Sequence, residues 1–74
     1  MSQMYSNQTL LSLKEGDVVH IKAFDDMPKS RMRVYEVIDD AITGSVLFEG
    51  DDMEEHGELY ADDFNLVEHI EINT

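Results

Sequence analysis

The chain has no cysteine, no tryptophan and a single proline among its 74 residues. Without cysteine there is neither a disulfide nor a thiolate metal site, so the usual staple of a small secreted domain is excluded. No run approaches the roughly 20 apolar residues of a membrane-spanning helix. Met1 to Leu13 holds no basic region followed by a long apolar run, so no secretory signal is expected. A cytoplasmic protein that does not enter a membrane is the expectation. One further absence concerns charge. After Arg33 there is no Lys or Arg, while thirteen Asp and Glu follow.

The length fits one domain. A domain of this size buries only about 60–65% of the surface its unfolded chain exposes, so its stability is small. With three His far apart in sequence, a structural zinc site is not expected, and no cofactor is implied. Efficient packing or self-association remains, which makes a homodimer one expectation, with Val18, Leu47 and Val67 as outward apolar residues. The net charge of −12 repels nucleic acid phosphates and anionic membrane surfaces. Two readings of the acidity stay open: solubility, and a surface shaped for a basic partner.

Short alternating segments separated by turn residues organise the chain. Residues 1–12 are polar with isolated apolar side chains and read as a flexible N-terminal segment, although 9–13 could form a turn or pack against the rim of the domain. Glu15-Gly16-Asp17 is a turn signal. Residues 18–23 then alternate, with Val19, Ile21 and Ala23 on one face. A loop follows around Asp25-Asp26 and Pro28, which cannot donate in a central strand. Residues 31–38 form a second strand in which strict alternation would turn Glu36 inward. A bulge near Tyr35 or Glu36 would instead return Val37 or Ile38 to the core. Asp39-Asp40 is a turn, 42–49 a third strand, 51–57 an acidic loop and 58–60 a short fourth strand. Residues 62–65 suit a single 3₁₀ turn, and 66–72 a last strand. The fold class is therefore all-β: a small five-stranded barrel over residues 13–74, with a short 3₁₀ turn before the last strand. Its expected core is Val19, Ile21, Met32, Val34, Val46, Phe48, Leu59, Phe64 and Leu66.

A set of residues within this pattern resembles a known family type. Leu13, Gly16-Asp17-Val18-Val19, Ile21-Lys22, then Met32, Val34 and Val37, then Gly44, Val46 and Phe48, then Tyr60, Phe64 and Leu66 are similar to the small bacterial SH3-like barrels of the YodC-like type. The likeness covers about residues 13–67. The chain departs from that type in having no Trp and in its acidic stretch at 51–58. The resemblance implies an SH3-like barrel and carries over no site residue, because the type is functionally uncharacterised.

Several constellations hold residues of candidate chemistry. Asp51-Asp52-Met53-Glu54-Glu55-His56 holds oxygen ligands for a hard cation but fails the calcium-loop spacing. A solvated loop is the plainer expectation. His20 and His69 fall on the first and last strands, which are often neighbours, yet no nucleophile accompanies them. Ser12, Ser30 and Ser45 lie in no nucleophile-elbow context. A catalytic role is not expected. Lys29-Ser30-Arg31-Met32-Arg33 is the one basic cluster, and it could contact nucleic acid with Tyr35 as a stacking ring. Cross-strand pairing with neighbouring carboxylates explains it more simply. The leading expectation is a non-enzymatic acidic binding module for a basic protein, with DNA mimicry as one variant of it. Asp51, Asp52, Glu54, Glu55 and Glu58 would supply the charge, with Met53 and Tyr60 as apolar contacts. The alternatives are a nucleic-acid-binding barrel using Lys22, Lys29, Arg31 and Arg33, and a metal-dependent accessory protein or enzyme subunit.

Overall fold

A computed structural model of the chain describes residues 5–73. Its first element starts at Ser6, whose hydroxyl oxygen accepts from the Thr9 N–H at 3.1 Å. That bond satisfies one of the donors left free at a helix start, and a short helix, α1 (Asn7–Leu11), follows. One turn of helix swings Leu10 inward, where it is wholly buried, and Leu13 follows it into the core. Burying a leucine contributes about 1.5–3 kcal/mol. This corrects the reading of 1–12 as flexible for residues 7–11 and bears out the alternative that 9–13 pack against the domain. Residues 1–4 of that segment lie outside the described residues.

Five strands follow: β1 (Val18–Ile21), β2 (Ser30–Ile38), β3 (Ala41–Phe48), β4 (Glu55–Tyr60) and β5 (Val67–Glu71). A 3₁₀ turn, Ala61–Leu66, leads into β5. They form one antiparallel sheet in the order β4-β3-β2-β1-β5. The number of strands and the 3₁₀ turn agree with the sequence pattern, but β4 begins at Glu55, so residues 55–57 of the expected acidic loop belong to the strand. β4 and β5 are the two edges, and among the described residues no ladder joins them.

The Gly16-Asp17 turn locks β1 onto β2. Gly16 adopts φ +97°, a left-handed conformation that side chains disfavour. Its N–H donates to the Val34 carbonyl, and the Val34 N–H donates to the Asp17 carbonyl. The Asp17 side chain is buried, yet both oxygens are satisfied. One accepts from the Lys14 N–H at 2.9 Å and the other from the Asn73 N–H at 2.8 Å. One carboxylate thus ties the entry of the sheet to the residues that follow β5. Immediately after Val34 the β2–β3 register shifts, leaving Tyr35 as the extra residue. This is the anticipated bulge. Glu36 becomes exposed and Val37 packs against the core, while Ile38 stays outside.

The core contains Leu10, Leu13, Val19, Met32, Val34, Ile42, Val46, Leu59, Phe64 and Val67. Ile21 and Phe48 are only partly buried, and Leu66 is also half-buried. Val67, read from the sequence as outward, is buried instead. The 3₁₀ turn runs through Leu66, so β5 begins one residue later than the alternation implied. A register shift against β1 between the His20–His69 and Ile21–Val67 pairs then leaves Glu68 unopposed. That bulge changes the phase, so both Val67 and Ile70 contact the core and Ile72 is exposed.

β3 lies against β2 and β4, and both its faces are covered. On its core side Gly44 stands directly opposite Gly57 of β4. A Cβ at Gly44 would lie 2.3 Å from the Arg33 carbonyl oxygen and 2.8 Å from Met32 Cγ. A Cβ at Gly57 would lie 2.5 Å from Val46 Cγ2. The paired glycines make the room into which Met32 and Val46 pack.

Two substitutions test this account. Leu10→Ala should lower the unfolding free energy by about 2–5 kcal/mol in urea melts, as for any well-packed core leucine. A loss below about 0.5 kcal/mol, the range of surface changes, would place α1 outside the cooperative unit. Gly44→Ala, which drives a methyl group into the backbone of β2, should destabilise by about 1–3 kcal/mol, whereas the same change at an exposed strand position would not.

Candidate functional site

The acidic stretch begins where β3 ends. The Asp51 N–H donates to the Phe48 carbonyl at 3.0 Å and closes a turn. Asp51, Asp52 and Met53 stand exposed beyond it, and Met53 is the most exposed of the described large apolar side chains at 76%. Glu54 turns back towards the sheet. Its Oε1 accepts from the Ser45 hydroxyl and from Arg33 Nη2, the latter at 3.3 Å. Glu54 therefore acts within the fold, covering the outer face of β3 where Ser45 is buried.

The remaining candidates lie on β4. Successive side chains of a strand alternate between faces. Leu59 is buried, so Glu55 and Gly57 share its face, while His56, Glu58 and Tyr60 take the outer one. The Tyr60 hydroxyl donates to Glu58 Oε1 at 2.9 Å. That bond, and then the negative charge of Glu58, holds the phenol above its usual pKa. Glu55 and Glu58 meet no cation among the described residues, and neither do Asp51 and Asp52.

A groove of about 300 Å³ runs beside β4. Glu55 to Leu59 of β4 line it, together with Lys22, Phe24 and Met27 of the β1–β2 loop and with Met32 and Phe48. Phe24 and Met27 are about half exposed, at 55% and 51%, and a small antiparallel bridge joins them. The sequence candidates Glu55 and Glu58 border this groove, as does Asp63; Met53 and Tyr60 do not. Phe24, Met27 and Asp63 were missed by sequence reasoning. An aromatic and a methionine flanking Asp25-Asp26 were the available signal.

The basic cluster is largely engaged inside the fold. Arg33 meets Glu54, and Lys29 Nζ lies 3.6 Å from Glu68 Oε1. Arg31 stands opposite His20 on the β1–β2 ladder, and its charge adds to the lowering of the Glu71 pKa. His20 and His69 pair across β1 and β5, with ring centroids 5.3 Å apart. His20 Nε2 bonds Glu71. An ionised carboxylate only accepts, so that nitrogen carries the proton. The hydrogen bond from His20 is the largest influence holding the Glu71 carboxyl below its usual range; desolvation opposes it, and the charges of His20, His69 and Arg31 assist. A lowered carboxyl pKa contributes stability above the ordinary glutamate value, and that contribution fades as pH falls through the folded value. His56 belongs to β4, on the opposite edge of the sheet from β5. Among the described residues no group of three or more His, Asp or Glu is arranged to hold a metal. The described residues also include no helix long and apolar enough to cross a membrane.

No family model, curated protein or solved structure matches the chain.

The Tyr60–Glu58 bond makes a testable claim about charge on β4. In a chain carrying Tyr5→Phe and Tyr35→Phe, ultraviolet titration should show Tyr60 ionising above the ordinary tyrosine value. Adding Glu58→Gln should bring it down, because both the charge and the charged acceptor are removed. An unchanged titration would mean that the bond is not formed in solution.

Proposed function

We propose that this chain is a non-enzymatic binding module whose acidic rim selects a basic protein partner. The observation that carries the reading is the set of carboxylates on β4 and the connection before it. Asp51, Asp52, Glu55 and Glu58 are exposed and meet no cation of the described chain, whereas Arg33 and Lys29 are matched to Glu54 and Glu68. A field of one sign raises the encounter rate with an opposite surface and disfavours like-charged partners. Apolar contact beside the charge, from Met53 at the tip and from the groove wall, would slow dissociation. Glu54 leaves the set named from the sequence, and Tyr60 acts through its bond to Glu58.

We further infer that the sheet is a five-stranded SH3-like barrel of the YodC-like type. The buried Asp17 in the Gly-Asp turn, the bulge in β2 and the 3₁₀ turn before β5 support that assignment. We also infer a cytoplasmic location, in keeping with a chain that has no cysteine.

Replacing Asp51 and Asp52 by Asn, and Glu55 and Glu58 by Gln, tests the reading. The circular-dichroism spectrum and melting temperature should change little, since these side chains stand in water. Association with a basic protein captured by the unmodified chain should slow by about tenfold or more at low salt, and the difference should shrink as salt is raised. An equal rate at low salt would leave the rim a solubility device.

A further inference from the structure

We infer that β4 is a docking edge: a basic, extended segment of the partner adds to it as a sixth strand and sets apolar side chains into the groove beside Phe24 and Met27. The inference rests on the reading of the acidic rim as a site for a basic protein and names the form of the ligand.

The ladders determine which backbone groups face outward. In an antiparallel pair, only alternate residues exchange hydrogen bonds with a given neighbour. The Glu49 N–H donates to the Lys29 carbonyl, so the odd-numbered residues at that end of β3 bond to β2. Its even-numbered residues then bond to β4. The Ala61 N–H donates to the Asp40 carbonyl, which gives the same parity from the other end. Glu55, Gly57 and Leu59 are consequently the β4 residues bonded to β3. His56 and Glu58 direct both N–H and C=O away from the sheet, and Tyr60 directs its N–H there. No backbone hydrogen bond from another described element reaches these groups.

An unpaired edge is a template for another strand, and strand addition draws its affinity from main-chain bonds and its selectivity from side-chain pockets. Both parts are present. The outward groups of β4 lie beside a groove with apolar lining, which carries three carboxylates, Glu55, Glu58 and Asp63, against one cation, Lys22. These carboxylates choose the occupant. A second copy of the chain would bring another −12 to the same edge, whereas a strand with Lys or Arg at alternate positions on the face of Glu58 meets that carboxylate and turns the apolar residues between them to the face of Leu59, where the groove is lined.

The probe is a blocked peptide of six residues, the length of β4, alternating Lys with Val and Leu. Two further versions are N-methylated on one or the other alternate set of residues. A fourth has Glu in place of Lys. The unmethylated peptide should bind and slow amide hydrogen exchange at His56, Glu58 and Tyr60. One methylated version should bind about tenfold more weakly or worse, because its donors to β4 are gone, and the other should bind nearly as well as the parent. The Glu peptide should not bind. Met27→Ser, at an exposed wall position that leaves the fold intact, should weaken the parent peptide severalfold.

Equal binding of the two methylated peptides, with loss on neutralising the rim, would overturn strand addition and leave the acidic-rim reading standing. Equal binding of the Lys and Glu peptides, with sensitivity to one methylated set, would overturn the basic-partner part and with it the rim reading. No binding of the parent peptide, or slow exchange at the three amides in the isolated monomer, would overturn the inference. A dimer of the free chain that protects those amides would overturn it in favour of a second copy.

Discussion

The close approach of β3 and β4 at Gly44 and Gly57 is the constraint on which the arrangement depends. Two residues without side chains stand opposite each other where the core face would otherwise hold two more. Met32 and Val46 fill part of that space, and Met32 continues into the lining of the groove. Glycine within a strand weakens it, since it packs nothing and loses more backbone freedom on folding. Here the loss has a structural return. A larger residue at Gly57 would push Val46 aside and narrow the space beside β4. The same pair that allows this core to pack therefore leaves the edge strand with a hollow next to it.

Charge is distributed according to the same geometry. The five cations all occur by Arg33, and β2 carries two of them to the middle of the sheet, between β3 and β1. From there Arg33 reaches Glu54, and Lys29, just before the strand, reaches Glu68 near the far edge. Such exposed pairs contribute about 0–1 kcal/mol each, so their main consequence is local. They quiet the negative field over the faces of β2, β3 and β5. They do not reach the outer edge of β4. Its carboxylates form no ion pair among the described residues, although Lys22 of the β1–β2 loop lines the same groove, and sequence composition alone does not show that distinction.

What could be read in the sequence was whatever local chemistry decides. Gly16-Asp17 as a turn, the bulge at Tyr35, the 3₁₀ turn before the last strand and the meeting of His20 with His69 all follow from patterns within a few residues or from the closeness of first and last strands in small β domains. Leu10 was obscure because a five-residue helix has no sustained period, and its burial depends on a cavity built by residues far along the chain. Val67 was misread because strict alternation assumes an unbroken register, whereas the bulge against β1 resets the phase. At the candidate site, the acidity of 51–58 was legible. That Glu54 belongs to the fold while Glu55 and Glu58 border a groove was not, because it depends on which way each carboxylate faces across the sheet.

An acidic edge strand solves two problems at once. A small all-β domain without an edge guard is exposed to pairing with its own copies, and charged residues on the edge oppose this. Glu55 and Glu58 supply that guard on β4, and the overall −12 extends it to any approach of one chain to another. Lysine would guard the edge equally well against self-association, so protection alone does not require carboxylates. The sign matters only when something else approaches. Carboxylates disfavour a like-charged chain and favour a basic one, which is the choice the proposed docking needs. Phe24 and Met27 point the same way. Two large apolar side chains about half exposed beside an edge strand work against solubility, and a guard against aggregation gains nothing from them. Their place beside unmatched carboxylates and outward-facing backbone groups is the arrangement by which a strand of opposite charge would be both attracted and held.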